Sequence, residues 1–573
     1  MRVALCQLNT VVGGFIHNVD KICDFLRRAA AEKAELAIFP ELCLSSYPPL
    51  DLLDRPGFVG ANAEALLSLQ RQINDIPNAP ETIVLGSIMG NPSPKGRAIH
   101  NAAVVLHKNE TAVFQPKRLL PTYDVFDEAR YFEPGKETQL WDSPWGKVGL
   151  SVCEDAWYDD TRLGRHLYSS DPAADLKGAS FVINISASPF EINKRKRRQQ
   201  LLAGFVKRIG APLIYVNQVG ANDEILFDGG SLVYSAAGEV LYEMPSFREG
   251  IAIIDFAPGK ATTVTEVAAW QTGETEKTWD KMFVGSQKPQ RTSDAEGDLE
   301  LLHKALVTGI RDYFRKTGFK RAVVGLSGGI DSAVIASLAA EALGPRNVLG
   351  VSMPSQYSSS HSLSDAEALA RAIGCEYRVL SLKFVFSALL MELKPAFGGL
   401  PPDVTEENIQ ARMRGVMLMA LANKRNGLVL TTGNKSELGV GYCTTYGDMA
   451  GALAPLGDVY KTLVYKLALG INKHNPWIPQ STLTKPPSAE LRPNQTDQDS
   501  LPPYEILDKL LEMHFEGLAE EQELIRAGFA ADVVKKILHL VRSSEFKRRQ
   551  AAPALKVTSK AFGLGRRIPV AKS

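Results

Sequence analysis

The chain has 573 residues, of which 45% are hydrophobic and 23% charged, close to the average for a soluble globular protein. This composition excludes a disordered or fibrous protein, and the length predicts more than one domain. With 65 basic residues against 64 acidic ones, the net charge of +1 gives no global attraction to nucleic acid or to an anionic membrane.

The first part of the chain alternates short apolar runs with amphipathic segments. We predict strands at 3–8, 36–39, 82–88, 102–106, 148–153, 181–185, 213–217 and 251–256, the last of which closes the unit. Helices are predicted at 18–32 and 194–209. Strands that alternate with helices favour an α/β layered fold, although apolar runs alone do not distinguish an open sheet from a sandwich.

Residues 271–298 are polar and aperiodic, which predicts a linker between a first domain at 1–270 and a second domain at 299–573. The second domain opens with a helix at 299–317, a strand at 321–326, a glycine turn and a helix at 331–343. Farther on, a surface loop is predicted at 488–503, followed by helices at 504–511 and 530–541. The tail from 551 is basic and has no periodic pattern.

Six cysteines are too few for a disulfide framework in a chain of this length, and no pair has the C-x-x-C spacing typical of structural zinc. The first residues contain no apolar stretch of the kind found in signal peptides. No run approaches the roughly 18 apolar residues of a membrane span. We therefore expect a cytoplasmic protein that has no membrane partner.

Three residues with reactive side chains stand where predicted strands end: Glu41, Lys117 and Cys153. Strand ends in α/β folds bring side chains from distant segments together. A thiol needs a base to become a nucleophile, and attack on an amide needs donors for the oxyanion, for which Lys117 and the backbone N–H of Glu154 are candidates. Taken singly, such a cysteine is usually a small buried apolar residue, and such a lysine is usually solvated.

Three motifs surround these residues: F-P-E-L at 39–42, P-K at 116–117 and V-C-E-D-A-W at 152–157. Together they resemble the nitrilase superfamily and, more narrowly, the glutaminase domain of glutamine-dependent NAD synthetases. The resemblance implies an αββα sandwich in which Glu41 is the general base, Lys117 stabilises the tetrahedral intermediate and Cys153 forms a thioester. Further residues matched to the family's site are a second glutamate, Glu128, and the glutamine contacts Tyr123, Ser188 and Lys194.

A run of five basic residues at 194–198 opens the predicted helix at 194–209. Such a run could suggest a nucleic-acid site. No aromatic residue is interleaved in it, so a solvated or interface-facing start of a helix is the better interpretation. We therefore predict no nucleic-acid partner.

The string S-G-G-I-D-S at 327–332 follows a predicted strand and opens a predicted helix. Such a turn points backbone N–H groups and the positive end of a helix dipole at an anion, and paired glycines allow close approach. Asp331 is an acid beside this phosphate site, where a metal bridge is its plausible role. The sequence has no G-x-x-x-x-G-K-[ST] pattern, so the loop is not of the Walker type.

The same string resembles the pyrophosphate loop of ATP pyrophosphatases. Segments such as L-T-T-G-N-K-S-E-L at 430–438 and P-L-G-D-V-Y-K-T at 455–462 resemble the NAD synthetase branch of that superfamily. The resemblance implies a doubly wound parallel sheet and Mg²⁺ bound by Asp331 and Glu437. Residues matched to deamido-NAD contacts are Asn408, Glu437 and Lys547. Residues matched to ATP contacts are Gly325, Leu326, Ser327, Gly328, Gly329, Ile330, Asp331, Ser332 and Thr432, with Lys461 and Ser488 as further candidates.

Together the resemblances imply a homo-oligomeric enzyme that releases ammonia from glutamine in one domain. The other domain would use ATP and Mg²⁺ to amidate deamido-NAD, with ammonia passed between the domains. Three alternatives are another glutamine-fed ATP pyrophosphatase, a non-catalytic nucleotide-binding regulator, and a plain amidohydrolase whose second half senses ATP. The nitrilase-like motifs weigh against the first, the intact Cys153, Lys117 and Asp331 against the second, and the G-N-K-S-E segment at 433–437 against the third.

Overall fold

The computed structural model describes residues 1–108, 110–161, 164–259, 262–272, 297–488, 490–492 and 495–571. The chain divides into two compact units, Met1–Glu296 and Gly297–Ser573. Most of the predicted linker at 271–298 lies outside the described residues, at 273–296. Within the described ranges, no helix combines the length and the hydropathy needed to cross a membrane.

The first unit alternates strands with a few helices. Its strands are β1 (Arg2–Gln7), β2 (Leu36–Ile38), β3 (Thr82–Gly90), β4 (Ile99–His107), β5 (Glu110–Pro116), β6 (Leu140–Ser143), β7 (Gly146–Val152), β8 (Phe181–Ser186), β9 (Leu213–Asn217), β10 (Val219–Asn222), β11 (Ile225–Asp228), β12 (Leu232–Tyr234), β13 (Val240–Glu243), β14 (Gly250–Ala257) and β15 (Thr263–Thr272). Its α-helices are α1 (Phe15–Ala31), α2 (Pro56–Ile73) and α3 (Lys194–Ile209).

Two sheets face each other in this unit. One has the strand order β15-β14-β1-β2-β3-β4-β5, and the other has the order β13-β12-β9-β8-β7-β6. Alternation along β1 separates the layers: Val3 and Leu5 pack into the core between the sheets, whereas Ala4 and Cys6 pack beneath α1 and α2. On the outer side of the second sheet, residues of α3 form a further apolar cluster. The predicted αββα sandwich is confirmed, and the open sheet is excluded.

The prediction that the strand at 251–256 closes the unit is wrong. The segment forms most of β14, and β15 follows it and pairs antiparallel along the sheet edge, with Thr263 opposite Ala257. The described side chains at the start of β15 are mostly exposed. Because an edge strand buries few of its side chains, it has no apolar run for a sequence pattern to detect.

The second unit is richer in helices. Its strands are β16 (Ala322–Gly325), β17 (Val348–Ser352), β18 (Glu376–Val379) and β19 (Leu428–Leu430). Its α-helices are α4 (Asp298–Thr317), α5 (Ile330–Leu343), α6 (Ser360–Ile373), α7 (Lys383–Phe397), α8 (Val404–Arg425), α9 (Lys435–Val440), α10 (Lys461–His474), α11 (Gln480–Thr484), α12 (Tyr504–Phe515), α13 (Glu521–Arg526), α14 (Ala531–Ser543) and α15 (Glu545–Arg548).

The four strands of this unit form a parallel sheet in the order β18-β17-β16-β19. On one face, Val323 of β16 packs with Ile409 and Met413 of α8. Helices α5 and α6 connect β16 to β17 and β17 to β18, and right-handed crossovers place them on the opposite face. From β16 to β18 successive strands are therefore added in one direction, and the chain then returns to place β19 on the other side of β16. Ligands bind at such a switch point in doubly wound folds.

The tail from 551 folds back onto the second unit. Leu555 and Val557 are fully buried. The buried carboxylate of Asp458 accepts hydrogen bonds from the backbone N–H groups of Val557 and Thr558, at 2.8 and 2.7 Å. A segment without sequence periodicity is thus fixed by one buried acid.

Candidate active sites

Glu41 lies directly behind β2, where a glycine lets β3 approach its backbone. A Cβ atom at Gly86 would lie 2.0 Å from the backbone nitrogen of Leu42, so only glycine fits there. The Glu41 side chain is fully buried, and its Oε2 accepts a hydrogen bond of 2.8 Å from the backbone N–H of Ala187. This contact joins the end of β2 to the end of β8 in the facing sheet.

Lys117 follows β5 and is shared by two buried carboxyl groups. Its Nζ lies 2.7 Å from Glu41 Oε1 and 2.7 Å from Glu128 Oε1. Burial disfavours the ammonium, but the charges of Glu128 and Glu41 outweigh burial and raise the pKa of Lys117 well above its ordinary value. Burial also raises the pKa of Glu128 to about 7, against the opposing charge of Lys117.

Cys153 begins a 3-10 helix, Cys153–Ala156, directly after β7. Its φ of +43° is in the left-handed region, which is rare for a residue with a side chain and typical of strained functional turns. Burial raises the pKa of the thiol well above its ordinary value, the Glu41 charge raises it further, and Lys117 opposes both. The resting thiol is therefore neutral, and its attack on an amide requires a base.

Asp155 is a residue that sequence reasoning missed, although it stands inside the V-C-E-D-A-W motif. Its buried carboxylate accepts hydrogen bonds from the backbone N–H groups of Arg118 and Leu119, at 2.9 and 2.8 Å, and of Val152, at 3.0 Å. Burial raises its pKa to about 6, against these hydrogen bonds. Asp155 therefore ties the turn of Cys153 to the segment that follows Lys117.

The residues matched to glutamine contacts lie around this turn. The Tyr123 hydroxyl donates a hydrogen bond of 2.9 Å to Oε1 of Glu154, the residue that follows Cys153 in the chain. Ser188 is buried, and its backbone N–H donates to Asn217 Oδ1 at 2.9 Å. Lys194 Nζ lies 5.2 Å from the centroid of the Trp157 ring, just behind the 3-10 helix.

The basic run at 194–198 is largely neutralised within its own unit. Arg195 pairs with Glu243, Arg197 with Asp160, and Arg198 with Asp228. The Arg198 pair is buried and bidentate, with contacts of 2.8 and 2.6 Å. The run begins a helix as predicted, but these three arginines face acids of their own domain, which differs from the solvated or interface-facing start that we expected.

In the second unit, the loop behind β16 opens into a cavity of about 270 Å³. Residues matched to ATP contacts that line it are Gly325, Leu326, Ser327, Gly329, Ile330, Asp331, Ser332, Thr432, Lys461 and Ser488. Gly328 is buried against Ser362, with a φ of +77°, and a Cβ there would lie 2.4 Å from the carbonyl oxygen of Ser362. The helix α5 begins at Ile330, so its N-terminus faces the cavity.

The two predicted metal ligands share one ammonium group in this cavity. Lys461 Nζ lies 2.5 Å from Asp331 Oδ2 and 3.1 Å from Glu437 Oε1. Burial raises the pKa of Glu437 to about 8, against the opposing charge of Lys461. The arrangement holds two acids and one cation beside a loop suited to phosphates.

These acids fit Mg²⁺, which proteins usually hold with one or two carboxylates while phosphates and waters complete its shell. In the described part of the chain, no group of three or more His, Cys, Asp or Glu side chains could hold a metal by itself. The remaining ligands of an ion at Asp331 and Glu437 would therefore come from ATP and water.

Asn408 and Lys547 do not line the cavity but contact the segment that does. Asn408 Oδ1 accepts a hydrogen bond of 2.8 Å from Thr444 Oγ1. Lys547 Nζ donates to the backbone oxygens of Gly441 and Cys443, both at 2.8 Å. Their neighbours Tyr442, Cys443 and Asp448 line the cavity, so both residues hold its wall.

The segment at 488–503 differs from the predicted surface loop. Its described residues Ser488, Glu490, Leu491 and Asp497 line the cavity. Asp497 is buried, and its Oδ2 accepts a hydrogen bond of 2.8 Å from the Tyr504 hydroxyl. The polar composition suggested exposure, but these residues face the cavity instead.

Comparison with known proteins agrees with this two-site arrangement. The carbon-nitrogen hydrolase family matches residues 2–265, and the NAD synthase family matches residues 302–551. The glutamine-dependent NAD(+) synthetase of Synechocystis sp. is 43% identical over 100% of this chain and 98% of its own length. That of Thermotoga maritima is 39% identical with the same coverage. The solved structure of glutamine-dependent NAD+ synthetase from Acinetobacter baumannii, in complex with ADP, is 34% identical with a TM-score of 0.73, covering 99% of this chain and 98% of its own.

Proposed function

The chain belongs to the family of glutamine-dependent NAD(+) synthetases, and from this premise we propose that it converts deamido-NAD, ATP, glutamine and water into NAD, AMP, pyrophosphate and glutamate. The observation that carries the proposal is the ammonium of Lys117, buried between Glu41 and Glu128 and acting on the neutral thiol of Cys153. A base, a cation and a thiol at one place are the groups that amide hydrolysis requires.

In the first unit, Glu41 takes the proton of Cys153 while the sulfur attacks the side-chain carbonyl carbon of glutamine. The new C–S bond turns the carbonyl oxygen into an oxyanion, which the Lys117 ammonium and the Glu154 N–H stabilise. The C–N bond then breaks, and ammonia leaves with the proton returned by Glu41. Water, deprotonated by Glu41, cleaves the thioester to glutamate and restores the thiol. Tyr123, Ser188 and Lys194, the residues that surround this turn, bind the glutamine.

In the second unit, the loop at 327–332 binds the phosphates of ATP. The carboxylate of deamido-NAD attacks the α-phosphorus, which releases pyrophosphate and forms an adenylate. Ammonia then attacks the acyl carbon, and AMP leaves. Mg²⁺, when held by Asp331 and Glu437, supplies neutralisation of phosphate charge. Asn408 and Lys547 position the dinucleotide through the cavity wall that they hold.

Ammonia passes from the first site to the second without release, because in water at neutral pH most of it becomes ammonium, which is not a nucleophile. The test uses ¹⁵N-amide glutamine in the presence of excess ¹⁴N ammonium. We expect ¹⁵N in the NAD that forms. NAD labelled only in proportion to the mixed pool would overturn the direct passage.

The two half-reactions can be separated by single substitutions in the full-length enzyme. Cys153→Ala is expected to make NAD from ammonium but not from glutamine. Asp331→Asn is expected to hydrolyse glutamine but to make no NAD from either source. Cys6→Ala, which removes an equally buried thiol from β1, serves as the control and should retain both activities. A Cys153→Ala enzyme that still uses glutamine would refute the proposed thiol chemistry.

The predicted homo-oligomer finds support on α7. This helix exposes Phe384 at 87% and Met391 at 71%, and Leu400 behind it is 78% exposed. Adjacent apolar residues at such exposure are typical of a surface that another chain covers. Light scattering of the wild type and of Phe384→Glu tests this: we expect an oligomer that the substitution weakens, and a monomeric wild type would contradict the prediction.

A further inference from the structure

Asn101 lies fully buried on β4, between the three ionisable groups of the first site. The register of β4 and β5 pairs Ala102 with Pro116, and the backbone N–H of Lys117 donates to the Asn101 carbonyl at 2.8 Å. The side-chain amide donates to Glu41 Oε1 at 2.6 Å and to Glu128 Oε2 at 3.4 Å. One residue thus contacts the base, the second glutamate and the lysine.

The role of Asn101 is indicated by which atoms of its side-chain amide donate hydrogen bonds. Asn101 Nδ2 has two hydrogens and faces two carboxyl groups, while its Oδ1 is buried without a partner among the described residues. An amide oriented in this way gives up a hydrogen bond at its oxygen so that its N–H groups meet the acids. A neutral donor of this kind stabilises an ionised carboxylate without adding charge to a site that already holds two acids and one ammonium.

We propose that Asn101 is a positioning residue of glutamine hydrolysis, which fixes the Glu41 carboxylate in the place where it receives the Cys153 proton. This inference rests on the proposed thiol chemistry of the first unit. Glu41 is then held at both oxygens, by Asn101 and Lys117 at Oε1 and by the Ala187 N–H at Oε2. Asn101 and Lys117 both contact Glu41 and Glu128, so the two glutamates are held by the same pair of donors.

The test measures kcat/KM for glutamine hydrolysis as a function of pH in the full-length enzyme, for Asn101→Ala and Asn101→Asp. Asn62→Ala is the matched control. Asn62 is equally buried, its Nδ2 donates at 3.0 Å to both Ser87 Oγ and the backbone oxygen of Ile88, and its Oδ1 also lacks a partner in the described structure. Its acceptor Ile88 is the residue of β3 that pairs with Asn101, but among the described residues the Asn62 side chain donates to no carboxylate.

We expect Asn101→Ala to lower kcat/KM about 10- to 100-fold, the usual range for a lost hydrogen bond to a charged group. The acid limb of its pH profile should move to higher pH by about one unit, because the site loses a donor that favours the ionised acid. Asn101→Asp, although nearly identical in shape, should be more damaging than alanine, since a third carboxylate repels the other two. Asn62→Ala should stay within a few-fold of the wild type.

A purely structural role predicts the opposite order, with aspartate tolerated better than alanine and no shift of the acid limb, and that result would overturn the inference. If Asn101→Asp does not fold, as judged by its thermal unfolding, the pH profile of Asn101→Ala decides. Cys153→Ala distinguishes a failure of the proposed thiol chemistry from a failure of the proposed role of Asn101. If it still hydrolyses glutamine, the thiol chemistry fails; if it is inactive while both Asn101 variants match the wild type, only the role of Asn101 fails.

Discussion

Replacing Lys117 by methionine tests the electrostatics of the first site. Its Nζ lies 2.7 Å from one oxygen of Glu41 and 2.7 Å from one oxygen of Glu128, and all three side chains are at most 5% exposed. At an effective dielectric constant of about 20, each contact corresponds to about 6 kcal/mol of Coulomb attraction. Desolvation offsets much of this attraction, but removal of the cation leaves two buried acids uncompensated, which costs about 3–5 kcal/mol of unfolding free energy.

The unfolding free energy that Lys117→Met loses relative to the wild type is expected to grow with pH. Burial raises the pKa of Glu128 from its ordinary value of 4.5 to about 7, although Lys117 opposes the rise. An acid whose pKa is higher in the folded state contributes stability below its unfolded pKa and loses that contribution as the pH rises through its folded pKa. Without Lys117 the folded pKa of Glu128 rises further, so the variant continues to lose stability where the wild type no longer does. The deficit should therefore be smaller near about pH 5 than near about pH 8.

Pulse proteolysis in urea, with peptides of the first unit quantified by mass spectrometry, measures this free energy of unfolding. Lys117→Met should also lose glutamine hydrolysis and retain NAD formation from ammonium. The double variant Lys117→Met/Glu128→Gln should recover part of the stability, because one of the two acids is no longer ionisable. A deficit below about 1 kcal/mol at every pH, the range of an exposed ion pair, or a deficit that shrinks as the pH rises, would refute the reasoning.

Three further substitutions, and one control, have expected outcomes. Gly86→Ala should reduce glutamine-driven NAD formation at least about tenfold and spare the ammonium-driven reaction, because its Cβ would lie 2.0 Å from a backbone nitrogen. Gly90→Ala on the same strand meets nothing within 4 Å and should be neutral. Gly328→Ala should lower NAD formation from either source while glutamine hydrolysis continues, since a Cβ there would meet Ser362 at 2.4 Å; equal ATP affinity in the variant would contradict this. Glu437→Gln should lower ammonium-driven NAD formation at least about 100-fold and weaken Mn²⁺ binding in a titration, and unchanged metal binding would count against its assignment.

In the first unit, apolar runs predicted most of the central strands and missed the edge strands, and they also missed the short buried strand β12. The strand at 213–217 has the same bounds in the structure as in the prediction, because β9 is buried on both faces and every residue of it is apolar or enclosed. The strand β13 has only half-buried or exposed residues and was not predicted. Periodicity reports burial, so a strand that buries little leaves little trace in the sequence.

The residues of the first site likewise differ in how well the sequence identifies them. Glu41, Lys117 and Cys153 stand in motifs that local sequence identifies. Asn101 stands in none of these motifs, and Asp155 lies inside one of them without any sign of its own role. The amide of Asn101 acts on an acid 60 positions away, and the carboxylate of Asp155 accepts from a backbone N–H 37 positions away. Such contacts depend on strand register and on how the sheets face each other, which a single sequence does not state.

Lysine is the residue type for which the local sequence and the folded structure differ most. Read singly, Lys117 follows a proline and Lys461 opens a helix, and both positions suggest a solvated ammonium. In the structure each is almost fully buried and each is shared by two carboxyl groups, which lie 76 and 11 positions from Lys117 and 130 and 24 positions from Lys461. A buried pair of acids without a cation between its members is strongly destabilising, so the lysine and the two acids stabilise the fold only as a set. The local sequence therefore identifies these two lysines, but only the fold shows that each ammonium lies buried between two acids.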